Sequence, residues 1–236
     1  MTRRKRHVWW RMVAIGAALA LSGIGVTAYS LLRTPGWYRP PIIADAERQQ
    51  VRDDLMLAQQ QFTEGLRLGG EPFVYNIPQR DVNRWLTMRR GIYPAIDRLR
   101  SDGLEDPFLM IEDGCLTISG RTGTPFGRVV ISVDVEPTVE DGALVLRAKG
   151  ARCGSMPVPL GLGGLDSHFE QEAGEAWEGS PRMSGDLING VRIDTKATWW
   201  NGRIDYRVLD VWIEPGVLHL EIESLGGRHT SRRDQD

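Results

Sequence analysis

Phe108-Leu109-Met110-Ile111-Glu112-Asp113-Gly114-Cys115-Leu116-Thr117-Ile118-Ser119 reads as two β-strands joined by a tight turn. Asp-Gly is a favoured two-residue hairpin turn, and apolar residues recur at every second position on both sides of it. A turn at 113–114 sets Ile111 against Leu116 and Leu109 against Ile118. Apolar opposite apolar is what a sheet with one buried face requires.

The same chemistry recurs outward from this hairpin at Asp141-Gly142, Asn201-Gly202 and Pro215-Gly216. Together these turns predict strands near 107–112, 115–121, 128–138, 143–152, 191–200, 203–213 and 217–224. Continuing through residues 122–127 pairs Ile118 with Ile131 and Leu116 with Val133. The later turns pair Val139 with Leu144, Val135 with Ala148, Trp199 with Ile204 and Ala197 with Tyr206. On the opposite face lie Thr117, Ser119, Arg121, Ser132, Asp134, Glu136, Arg147 and Lys149, a wet surface by composition. Apolar parity slips between Val208 and Leu209, which predicts a bulge.

Helices are expected on the flanks. Val51, Leu55, Ala58, Phe62 and Leu66 recur at helical spacing across 44–68, and Gly69-Gly70 ends the run. Phe73–Ile77 reads as a short strand, with a helix opening at Pro78 and carrying Val82, Trp85 and Leu86 on its apolar side. Ile92, Ile96 and Leu99 suggest a further turn or two. Leu165, Phe169, Ala173, Ala176 and Trp177 suggest a helix after the Gly-rich stretch 160–164. The fold class this predicts is α+β: a transmembrane helix, then an antiparallel, meandering twisted sheet of about seven to eight strands, covered on one face by amphipathic helices.

Met12–Leu32 holds no charged residue and follows Arg3, Arg4, Lys5, Arg6 and Arg11. A helix crosses a bilayer with ~20 apolar residues, and basic residues stay on the cytoplasmic side. The reading is therefore a cytoplasmic tail at 1–11 and a transmembrane anchor at 12–32. A Pro-rich exit and amphipathic helix follow at 33–70, an extracytoplasmic (periplasmic) domain at 71–225, and a disordered tail at 226–236. Trp9, Trp10, Trp37 and Tyr38 are placed as interfacial aromatics. A cleaved signal peptide is the alternative, with Val26-Thr27-Ala28 as its small-residue site.

A net charge of −2 and the lack of a basic stripe argue against nucleic acid as a partner. Cys115 and Cys153 fall on strands separated by a third and about four residues out of line. That separation is roughly 15 Å, beyond the about 7 Å between Cα atoms that a disulfide tolerates. Two free thiols are expected. His168, Glu172 and Glu175 share a helix face and include ordinary zinc ligands, but a solvated helix face accounts for the same pattern. No nucleophile elbow, zinc-protease helix, phosphate loop or paired-carboxylate arrangement is present, so neither a catalytic residue nor a cofactor is assigned.

The strand and helix opening Phe73-Val74-Tyr75-Asn76-Ile77-Pro78-Gln79-Arg80-Asp81-Val82-Asn83-Arg84-Trp85-Leu86 resembles that of bacterial YpmS-type membrane-anchored proteins. Gly154-Ser155-Met156-Pro157-Val158-Pro159-Leu160 resembles their "G-x-L-P-hydrophobic-P" segment. More distantly the pattern is similar to LmeA-like proteins and the tubular lipid-binding (TULIP-like) fold. The resemblance spans roughly 10–165 and implies a long twisted sheet wrapped against helices with an apolar groove for lipid. It carries over no catalytic residue.

The expected function is binding or handling of a lipid or lipid-linked envelope intermediate beside the membrane. Phe73, Tyr75, Trp85, Ile92, Met156, Leu160, Leu162, Leu165 and Phe169 are the candidate groove lining. The alternative is a non-catalytic envelope scaffold with a closed core, meeting a protein partner through helix 44–68.

Overall fold

The computed structural model describes residues 22–23, 25–92, 104–125, 127–160, 183–186, 189–199 and 203–227. Among them, residues 25–32 are helical and a single 3-10 turn, Asp45–Glu47, leads into α1 (Arg48–Leu68). Then come β1 (Phe73–Pro78), α2 (Gln79–Ile92), β2 (Glu105–Glu112), β3 (Cys115–Thr124), β4 (Gly127–Glu140), β5 (Ala143–Cys153) and β6 (Met156–Val158). The chain continues with β7 (Met183–Ser184), β8 (Val191–Asp194), β9 (Lys196–Trp199), β10 (Ile204–Glu214) and β11 (Val217–Gly227).

These strands form two antiparallel sheets rather than one. The small sheet has the order β1-β11-β10-β9, and the large sheet β2-β3-β4-β5-β8-β7, with β6 also on β5. The α+β expectation of one meandering sheet under a helical cover is thus corrected to a mostly β fold. The division happens at Thr195, the one residue between β8 and β9. It is buried, its hydroxyl donates to Gly142 O at 2.6 Å, and its carbonyl accepts from Val208 N–H at 3.0 Å. A strand that bends and changes sheet is a common corner of packed β-layers. Period-two patterning does not reveal such a corner, because both sides of it alternate alike.

The expected transmembrane helix is corrected too. Among the described residues no helix is long and apolar enough to cross a membrane, and 12–21 and 24 lie outside them. The proposed helices at 96–99 and 165–177 also fall outside the described residues.

Within each hairpin the local reading holds. Ile111↔Leu116, Leu109↔Ile118, Val139↔Leu144, Val135↔Ala148, Trp199↔Ile204 and Ala197↔Tyr206 all face one another. The β10 bulge falls at Leu209, between Val208 and Asp210. One register is corrected by two residues: Ile118 opposes Val133 and Leu116 opposes Val135. The strands pair up to Thr124↔Gly127, so the connection is shorter than the six-residue loop expected. A shift of two leaves every side chain on its own face. Pro78 ends β1 instead of opening α2.

Cys115 and Cys153 lie on β3 and β5 with β4 between them, and both are free thiols. Burial pushes each thiol pKa upward.

Candidate functional site

The small sheet and α1 pack against each other around Phe62. Its ring meets Trp199 at 4.8 Å, Tyr75 at 4.9 Å, Tyr206 at 5.7 Å and Phe73 at 6.2 Å between centroids. Leu66 and Ile222 fill the remainder at 1% and 0% exposure. The helix can approach this closely because residue 65 is glycine: a Cβ there would sit 2.7 Å from the Phe73 ring. Polar tips are satisfied, with Trp199 Nε1 donating to Thr63 Oγ1 and the Tyr75 hydroxyl donating to Ala58 O. Burial raises the pKa of Tyr75 and Tyr206. Phe73 and Tyr75, both half-buried, thus pack against this aromatic cluster.

The large sheet differs on its apolar face. Directly opposed residues share a face, so the registers define three rows across it. Ile111, Leu116, Val135 and Ala148 form the first. Leu109, Ile118, Val133, Ala151 and Val158 form the second, and Gly120, Ile131, Cys153 and Met156 the third. The first row is covered by Ile213 and Leu218 of the β10–β11 hairpin. That hairpin is pinned by Gly216 N–H to Ile111 O at 3.0 Å and Gln79 N–H to Gly216 O at 2.8 Å. In the second row the cover is uneven: Ala151 is buried, Leu109 packs against the Ile213 cluster, Val133 and Val158 are half-buried, and Ile118 is 46% exposed. Leu104 lies over Gly120 in the third row.

The second row, the strip that exposes Ile118, crosses five strands, or four spacings, which is roughly 19 Å. The third row adjoins the helical residues 25–32. Ser155 N–H donates to Ser30 O at 2.9 Å, and a Cβ on Gly154 would stand 2.3 Å from Leu31 O, so only glycine fits there. The helical residues present Val26, Tyr29 and Leu32 outward, 66%, 65% and 41% exposed.

The other face of the large sheet is wet only in part: the Glu136, Arg147 and Lys149 side chains are exposed as expected, but the rest is not. Thr117, Ser119 and Ser132 are each 2% exposed. Part of the reason lies in Trp37 and Tyr38, placed by the sequence reading in a lipid interface. Tyr38 is instead buried against Phe108 and Val130, and its hydroxyl donates to Asp106 O at 2.5 Å. Arg121 lies over the Tyr38 ring and Arg152 over Trp37. Burial pushes the Tyr38 hydroxyl pKa up to about 12. Arg152 also pairs with Asp134 at 2.6 Å, and Thr117 donates to the same carboxylate.

Sequence reasoning missed Asn83. Its side-chain amide donates to Leu109 O and accepts from Leu109 N–H, both at 2.7 Å, while Gln79 Oε1 accepts from Ile111 N–H. These two residues of α2 complete the free edge of β2, a position where exposed strands invite aggregation. The pair Gln79 and Asn83, one helical turn apart, was the available signal.

The nine candidate groove residues are thus divided. Met156 lies in the third row and Leu160 follows β6, half-buried. Trp85 is half-buried on α2, and Ile92 ends that helix. Leu162, Leu165 and Phe169 lie outside the described residues, as do His168, Glu172 and Glu175. Among the described residues no group of three metal-ligating side chains converges. A wide-mouthed cavity of about 570 Å³ lies at the end of α1 between Leu66, Arg67, Gly69, Gly70 and Leu225. It contains none of the expected lining.

Comparison with known proteins finds no matching family model, curated protein or solved structure.

Proposed function

We propose that this protein handles a lipid or lipid-linked envelope intermediate at the extracytoplasmic face of a membrane. In this reading an acyl chain lies along the open strip of the large sheet. The observation that carries the reading is Ile118, 46% exposed on an apolar face where Ile111, Leu116 and Val135 of the first row are buried. Covering apolar surface stabilises by about 25 cal/mol per Å², and an acyl chain is a ligand whose whole contribution is of that kind. The strip's roughly 19 Å compares with about 15 Å for one leaflet of a hydrocarbon core. The candidate lining moves accordingly, from Phe73 and Tyr75 to Leu109, Ile118, Ile131, Val133 and Met156.

The test is native mass spectrometry of the full chain purified in mild detergent. A co-purifying lipid should disappear in Ile118→Arg and persist in Val74→Arg, which alters an exposed position on the small sheet. Wild-type protein that carries no lipid, even after incubation with phospholipid, overturns the reading. So does a lipid that survives Ile118→Arg.

A second reading, a closed-core scaffold, is favoured by Met56 and Leu57, 62% and 55% exposed on α1. It predicts that a partner is lost on Met56→Asp/Leu57→Asp while any bound lipid is unaffected.

A further inference from the structure

The small sheet has a second face, turned away from α1. The registers place Asp210, Trp212 and Glu214 of β10 on it, beside Glu221 and His219 of β11 and Asn76 of β1. The bulge at Leu209 puts them there. Without that extra residue, alternation from Arg207 would turn Leu209, Val211 and Ile213 outward in their place. Bulges re-aim side chains in this way next to functional sites.

Trp212 is 36% exposed, and its ring stacks on His219 with centroids 5.1 Å apart and planes within 5°. Asn76 Oδ1 lies 2.8 Å from His219 Nδ1, and Glu214 Oε2 lies 3.6 Å from His219 Nε2. The exposed ring is therefore held in a set attitude. In the adjoining row, Asp210 and Glu221 stand directly opposite each other. Among the described residues neither has an arginine or lysine within ion-pair distance. The cations of this face, Lys196 and Arg207, oppose each other one row further on, where Glu223 holds Arg207 at 2.9 Å. Carboxylates directly opposed across two strands repel and cost stability. No other register of the described strands sets two carboxylates against each other.

An exposed indole face attracts ammonium and guanidinium groups, and carboxylates give such groups charge-assisted hydrogen bonds. A phosphate-bearing surface would be repelled here, and a second copy applying this face to itself would set acid against acid. Successive outward positions on a strand stand about 6.7 Å apart, which is also the repeat of alternate side chains in an extended peptide.

We propose that this face docks an extended segment of a partner protein carrying arginine or lysine at alternate positions. One cation bridges Asp210 and Glu221 and relieves their repulsion. The next lies over the Trp212 ring beside Glu214.

The experiment titrates full-length protein in mild detergent with a fluorescein-labelled pentapeptide that alternates arginine and serine, read by anisotropy. A peptide with glutamate in place of arginine should not bind. Asp210→Asn/Glu221→Gln should weaken binding roughly fivefold, and Trp212→Leu about threefold. Glu47→Gln/Glu71→Gln removes the same charge from exposed positions elsewhere and should leave binding unchanged. Because Asp210→Asn/Glu221→Gln removes a repulsion, its unfolding midpoint should not fall, which separates lost binding from lost folding. Failure of wild type to bind the arginine peptide overturns the proposal, as does equal weakening by the Glu47 and Glu71 pair. Binding of phosphatidylcholine vesicles but not of the peptide, abolished by Trp212→Leu, also overturns it, by assigning the face to a lipid headgroup.

Discussion

The two sheets of this protein use similar strands to opposite ends. Between the small sheet and α1, five aromatic rings and four aliphatic side chains pack together, and Gly65 lets the helix descend onto Phe73. In the large sheet, a comparable apolar face is covered in its first row by a hairpin and left open at Ile118. The contrast separates apolar residues that hold the fold from apolar residues available to a ligand. Buried area stabilises only where something within the chain covers it.

The largest effect that tests the contrast is on the closed side. Phe62→Ala should cost about 3–5 kcal/mol, the range for truncating a packed aromatic, read from denaturant unfolding. A loss below about 1 kcal/mol would mean that the aromatic core is looser than the ring contacts indicate.

Next in size is Asn83→Ala, which leaves the N–H and C=O of Leu109 without their side-chain partner. About 2 kcal/mol is expected from two such orphaned groups, and amide exchange in β2 should quicken more than in β4. Equal quickening in both strands would show that α2 does not act through the β2 edge.

On the open side, Ile118→Ser should change stability by under about 1 kcal/mol while reducing any co-purified lipid. A destabilisation comparable to that of Phe62→Ala would erase the contrast, because Ile118 would then be a core residue.

The smallest effect is electrostatic. Two short hydrogen bonds from Arg147 hold the Glu140 carboxyl down to about 2. A carboxyl depressed on folding stabilises above its unfolded pKa, and that contribution is lost as pH falls through the folded value. Glu140→Gln should therefore flatten the stability profile slightly between about pH 4.5 and 2, with little change at neutral pH since the pair is exposed. Observing the Glu140 carboxyl by NMR to titrate above pH 4 would remove the basis for this expectation.

The legible parts of the fold were those governed by near neighbours. The Asp113-Gly114 and Asp141-Gly142 turns, the pairing of Leu109 with Ile118 and the bulge at Leu209 all follow from alternation and turn chemistry. The site was less legible. Phe73 and Tyr75 carried the right chemistry for a groove, yet Phe62 and Leu66 fill the space beside them. Ile118 was recognised as apolar without any sign that it would be left exposed. Trp37 and Tyr38 looked like interfacial aromatics because they follow an apolar run, and only Phe108 and Val130 explain where Tyr38 goes.

By itself the sequence determined the strands, their turns and the parity of each face. Backbone geometry repeats every two residues, and a glycine-containing turn constrains only its own hairpin. The tertiary structure decided that β1 pairs with β11, that the chain changes sheet at Thr195, and that one apolar face closes while the other stays open. Those outcomes depend on contacts between residues far apart in the chain, and a burial pattern says which side is apolar without saying what, if anything, will cover it.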